Sequence, residues 1–124
     1  MPNFEKLNNP TEGQVITFQD GKPIVPDDPI VPFIRGDGTG VDIWPATQKV
    51  VDASIKYSYG DKRKINWFKV YAGDEACDMY GTYNYLPDDT IKAIRHYGVG
   101  HKRSFNNACR RRYTITQCCF KTNF

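Results

Sequence analysis

The sequence predicts an α/β fold: an incomplete sheet built on one βαβ unit, preceded by an N-terminal hairpin. Three observations carry this. Ile30-Val31-Pro32-Phe33-Ile34 is an apolar, strand-forming run that turns through Gly36-Asp37-Gly38-Thr39-Gly40 into a helical period. A second strand-forming run, Ile65 to Tyr71, follows that helix, and strand–helix–strand order favours parallel neighbours. Upstream, Asp20-Gly21 sits between two short apolar runs, a strong hairpin signal.

Taken in order, residues 1–13 are polar and read as a loose leader. Val15-Ile16-Thr17-Phe18 and Pro23-Ile24-Val25 form the two arms of the hairpin, and Asp27-Asp28-Pro29 breaks the chain before the central strand. The glycine loop has the spacing G-x-G-x-G and is not the G-x-G-x-x-G dinucleotide fingerprint. By itself it fits a tight connection as well as a ligand-facing loop.

Ile43, Ala46, Val50, Ala53 and Tyr57 recur at three- and four-residue steps, which predicts a helix over 42–57 with that stripe in the core. Pro45 suits its first turn. Residues 74–85 read as a long, tyrosine-rich connection. Leu86-Pro87-Asp88-Asp89-Thr90 then starts a second helix with Ile91, Ile94 and Tyr97 on its inner face, closed by Gly98.

The 124 residues suit one domain, and no run reaches the ~18 apolar residues of a membrane span. The first residues lack the basic start and apolar core of a secretory signal, so a cytoplasmic protein is expected. The net charge of +3 conceals a division. Residues 1–100 hold all 14 Asp/Glu against 11 of the 17 Lys/Arg. Residues 101–124 hold Lys102, Arg103, Arg110, Arg111, Arg112 and Lys121 with no acid, and also Cys109, Cys118 and Cys119. The chain changes character near residue 100.

Several motifs occur in one order: Ile30 to Asp42 around the glycine loop, Lys49-Val50-Val51-Asp52-Ala53, Arg63-Lys64-Ile65-x-Trp67 with Tyr71-x-Gly73, Leu86-Pro87-x-x-Thr90 and Ile94-Arg95-x-Tyr97. Through them residues 15–100, about 85 of the 124, resemble the bacterial-type NADP-dependent isocitrate dehydrogenases, relatives of isopropylmalate dehydrogenase. The resemblance implies the isocitrate/isopropylmalate dehydrogenase-like fold, here in part. It also implies oxidative decarboxylation of isocitrate to 2-oxoglutarate in the citric acid cycle, with NADP, Mg²⁺ or Mn²⁺, and a homodimeric parent enzyme. Mapped onto this chain, it gives Gly38, Thr39 and Gly40 as cofactor-binding residues. No catalytic residue and no metal ligand falls within the chain. Arg35 and Thr39 depart from the Glu and Ile of the family pattern.

After Tyr97 the family continues Val-Ala-Ile-Lys-Gly-Pro-Leu-Thr-Thr-Pro-x-Gly-Gly-Gly-Ile-Arg-Ser-Leu-Asn, whereas this chain reads Val99-Gly100-His101-Lys102-Arg103-Ser104. Codons exist for His101 to Phe120 that spell the whole family motif when read one base over. A single inserted base near codon 100 therefore accounts for the tail, and Arg110-Arg111-Arg112 becomes a glycine triplet read out of frame. On this reading, residues 1–100 are the N-terminal part of the large dehydrogenase domain, and 101–124 are an out-of-frame, disordered tail. The chain itself is expected to be inactive and short of core, with incomplete cover over Ile34, Val50, Ile65 and Val70.

The alternative takes the tail at face value. Arg110, Arg111 and Arg112 then form a nucleic-acid patch, or His101, Cys109, Cys118 and Cys119 bind zinc. No Cys-x-x-Cys pair supports the zinc reading, and the frameshift reading implies no specific nucleic-acid partner and no membrane. Within the first hundred residues His96 offers a base, against which stands an ordinary surface histidine. Asp74, Glu75 and Asp78 offer an acidic cluster, against which stands a solvated loop.

Overall fold

The computed structural model describes residues 2–102. Among these described residues five strands and three helices follow in the order β1 (Thr17–Gln19), β2 (Lys22–Ile24), β3 (Ile30–Ile34), α1 (Gly40–Tyr59), β4 (Asn66–Lys69), α2 (Asp74–Tyr80), α3 (Asp88–Tyr97) and β5 (His101–Lys102). β1 and β2 pair antiparallel. Asp20 and Gly21 both take positive φ, at 51° and 75°, as a two-residue turn matched to strand twist requires.

The second sheet has the order β4-β3-β5, all parallel, with Val31 opposite Trp67 and Phe33 opposite both Lys69 and His101. β3 is thus the central strand, and four of its five residues are buried. The expected βαβ unit is present as β3–α1–β4. The core gathers Ile30, Ile34, Phe68, Val70, Ala72, Ala93, Ile94 and Tyr97, so one sheet face packs on α3. Ile34 and Val70, expected to lack cover, are buried, and Ile65 is half-buried.

Three expectations are corrected. The leader is docked: Leu7 is buried in the core, and the Phe4 ring lies 5.9 Å from that of Phe68. The connection after β4 contains α2, seven residues too short to show a helical period. The core stripe of α1 is displaced by one residue. Trp44 is buried, with Thr47, Gln48, Val51 and Ile55 half-buried behind it, while Ile43, Ala46, Val50, Ala53 and Tyr57 are exposed. Aromatic area decides this: Trp44 stacks on Phe33 at 4.3 Å and meets Trp67 edge-on at 5.1 Å.

The last described residues form a strand. His101 and Lys102 pair with Phe33 and Ile34 as β5, because a ladder is made by backbone groups that every non-proline side chain leaves available. Arg110–Arg112 and the three tail cysteines lie outside the described residues, so both tail readings do too.

Candidate functional site

β3 ends at Ile34, and the next five residues carry the chain into α1. Gly36 and Gly38 take φ of 83° and 57°, a left-handed backbone that a side chain would strain. Gly36 is buried. Around Gly38 nothing lies within 4 Å of where a β-carbon would stand. The turn winds directly into the helix, with Gly40 N–H donating to Asp37 O at 3.1 Å and Ile43 N–H to Thr39 O at 3.0 Å.

Of the three residues mapped as cofactor contacts, Gly38 and Thr39 are exposed, whereas Gly40 is buried as the first residue of α1. Thr39 precedes the helix in αR geometry and makes no side-chain capping bond. Its hydroxyl is not spent on the helix end, unlike the usual threonine at this position.

Two residues of this loop are clasped to the start of α2. The Asp37 carboxylate accepts the Asp74 N–H at 3.0 Å. A β-carbon on Gly73 would lie 2.7 Å from both Asp37 carboxylate oxygens, so only glycine permits this approach. Arg35 donates to Glu75 Oε1 at 2.6 Å, and Lys69 on β4 donates to the same oxygen at 2.9 Å. Sequence reasoning missed this clasp because its partners lie 37 and 40 residues apart. The departure at Arg35 was its one visible signal.

The other candidates disperse. His96 is exposed on the last turn of α3, edge-on to Tyr97. Asp74 and Asp78 are exposed, and Glu75 is engaged by Arg35 and Lys69. Among the described residues, no three His, Cys, Asp or Glu side chains are grouped to hold a metal ion, and no helix is long and apolar enough to cross a membrane. Burial pushes the thiol of half-buried Cys77 above the usual range, which disfavours the reactive thiolate. What the loop offers chemically is an open glycine turn and a free hydroxyl beside a helix start, held by two polar ties.

No protein-family model matches the chain. The isocitrate dehydrogenase [NADP] of Nostoc sp. is 57% identical over 126 residues, which takes in 93% of this chain and 27% of that protein. The Synechocystis sp. protein of the same name is 54% identical, and the Coxiella burnetii one 41%, again over 93% of this chain. The chain spans about a quarter of the length of these curated relatives. Over 93% of its length the chain is thus similar to an N-terminal part of the NADP-dependent isocitrate dehydrogenases.

Proposed function

We propose that this chain is the N-terminal part of an enzyme that oxidises isocitrate and decarboxylates the product to 2-oxoglutarate, and that the 124 residues alone are inactive. The single observation that carries this reading is the 57% identity over 93% of the chain to a protein almost four times as long. When bound, NADP accepts a hydride from the substrate alcohol. The role left to this chain is to present Gly38 and Thr39, with Gly40 behind them, to that cofactor. Asp37 and Arg35 hold the turn in place against Asp74 and Glu75. The acid–base groups and the carboxylates for Mg²⁺ or Mn²⁺ belong to the part of the family sequence outside this chain. We take the intact enzyme to be a cytoplasmic homodimer.

The break near codon 100 belongs to the same reading. Relatives from Colwellia maris and Archaeoglobus fulgidus align over 97 and 101 residues, about four fifths of the chain. Alignments that reach 93% of it run to 126 positions, more than its 124 residues, and so contain gaps. Restoring the frame puts Ala at position 100, where a β-carbon would meet Ile94 Cγ1 at 3.6 Å, an ordinary contact. We place the division at residue 100 by the reading frame.

The test is genetic and enzymatic. Deleting one base near codon 100 should open a long frame whose product forms NADPH from isocitrate and Mn²⁺, while the purified 124-residue chain forms none. A downstream sequence with no in-frame continuation, or activity from the short chain, overturns the proposal.

A further inference from the structure

Glu75 ties three elements together. It lies in the first turn of α2, and its Oε1 accepts from Arg35, one residue past β3, at 2.6 Å and from Lys69, the last residue of β4, at 2.9 Å. The Arg35, Lys69 and Glu75 side chains are 29%, 36% and 23% exposed. These charges are partly withdrawn from water, where screening is weaker than at an open surface pair. Arg35 gives one nitrogen, Nη2, to the pair, and its Nε is buried with no hydrogen-bond partner among the described residues. Glu75 is the carboxylate that meets this guanidinium. Without it, two cations drawn to one oxygen would face each other unneutralised.

What this tie controls is the turn beside it. Arg35 adjoins Gly36, buried with φ of 83°, and Asp37 grips Asp74, the residue before Glu75. A glycine-rich turn has many conformations open to it, so its shape is decided by what holds its flanks. Any ordering left until a ligand arrives is subtracted from the affinity.

We propose that Glu75 is a positioning residue for cofactor binding. Through Arg35 it holds the glycine turn in the conformation that meets NADP, and so sets the affinity for that cofactor without entering the chemistry. The inference rests on the family reading above.

The experiment compares the frame-restored enzyme with its Glu75→Gln variant and with the reversed pair, Arg35→Glu together with Glu75→Arg. Glu75→Gln keeps the size of the side chain and removes its charge. Arg35 stands where the family pattern has Glu, so the reversed pair returns that residue and gives Lys69 a carboxylate again. In Glu75→Gln the KM for NADP should rise roughly fivefold or more while kcat changes less than about twofold, and the reversed pair should recover most of the loss. The Kd for NADP, titrated without isocitrate, should move with KM. In the 124-residue chain itself, amide exchange over residues 36–40 should quicken in Glu75→Gln and slow again in the reversed pair.

A KM that ignores Glu75→Gln overturns the proposal, even where the melting temperature falls, because the tie is then structural only. A loss carried by kcat overturns it, as does one that the reversed pair leaves uncorrected, or amide exchange that does not respond. An inactive frame-restored enzyme fails the family reading and takes this inference with it. An active one whose KM is independent of Glu75 fails this inference alone.

Discussion

Both carboxylate oxygens of Asp89 accept the backbone N–H of Glu5, at 2.9 and 3.0 Å, although the two residues lie 84 positions apart. The Lys6 N–H and the Tyr80 hydroxyl reach the same carboxylate at 2.9 and 2.8 Å. Asp89 is buried in the first turn of α3, where the helix dipole favours a negative charge. One side chain thus fastens the leader to the core.

Asp89→Ala should release that leader and cost about 2 kcal/mol, the scale of hydrogen bonds to a charged group. Chemical denaturation would measure the loss. Proteolysis near residues 5–7 should accelerate in the variant while the rest of the chain stays intact.

The same carboxylate sets an acid dependence. Burial pushes the Asp89 carboxyl up, but the N–H groups of Glu5 and Lys6 and the Tyr80 hydroxyl outweigh it, and the net direction is down. A folded-state value below the unfolded one stabilises the fold fully above about pH 4 and loses that contribution as pH falls through the folded value. Between pH 5 and 8 the Asp89 anchor should therefore add no slope to the stability curve. Below pH 4 the wild type should lose stability that Asp89→Ala does not. Parallel acid curves for the two proteins would contradict this.

Tyr97 is fully buried, and its hydroxyl has no hydrogen-bond partner among the described residues. Burial pushes the pKa of this hydroxyl above the ordinary tyrosine value and so suppresses its ionisation. Removing an unsatisfied buried hydroxyl while keeping the ring's contact with Phe68, at 5.6 Å, should stabilise the fold by about 1 kcal/mol. A thermal melt of Tyr97→Phe shifted downward would show that the hydroxyl has a partner after all.

Gly73 and Gly100 should respond in opposite ways to alanine. Gly73 has φ of 77° and stands against the Asp37 carboxylate, so Gly73→Ala adds backbone strain and breaks the clasp. A loss of about 2 kcal/mol or more is expected, with faster amide exchange over residues 36–40. Gly100 meets a β-carbon only at ordinary contact distance and has no positive φ. Gly100→Ala should gain about 0.5 kcal/mol through the unfolded state.

What the sequence made legible is what local chemistry determines. Asp20-Gly21 forced the hairpin, and the apolar β3 run with its glycine turn announced the central strand and the start of α1. The face of α1 was misread because periodicity finds stripes without saying which is covered. Trp44 and Ile43 are neighbours, and only the positions of Phe33 and Trp67 across the sheet choose between them. The exposed Gly38–Thr39 turn was readable, but the hold on it by Asp74 and Glu75 was not. A carboxylate's partner nearly forty residues away leaves no pattern in the chain.

Trp44 and Trp67 are the two tryptophans of the chain, and their rings stand 5.1 Å apart at 86° to one another. Two indoles locked in a fixed, asymmetric arrangement give a near-ultraviolet circular dichroism signal that vanishes when side-chain packing loosens, even where helices persist. One indole belongs to α1 and the other to β4. The protein thus carries its own optical gauge of whether that helix is seated on the sheet, readable in solution without a label.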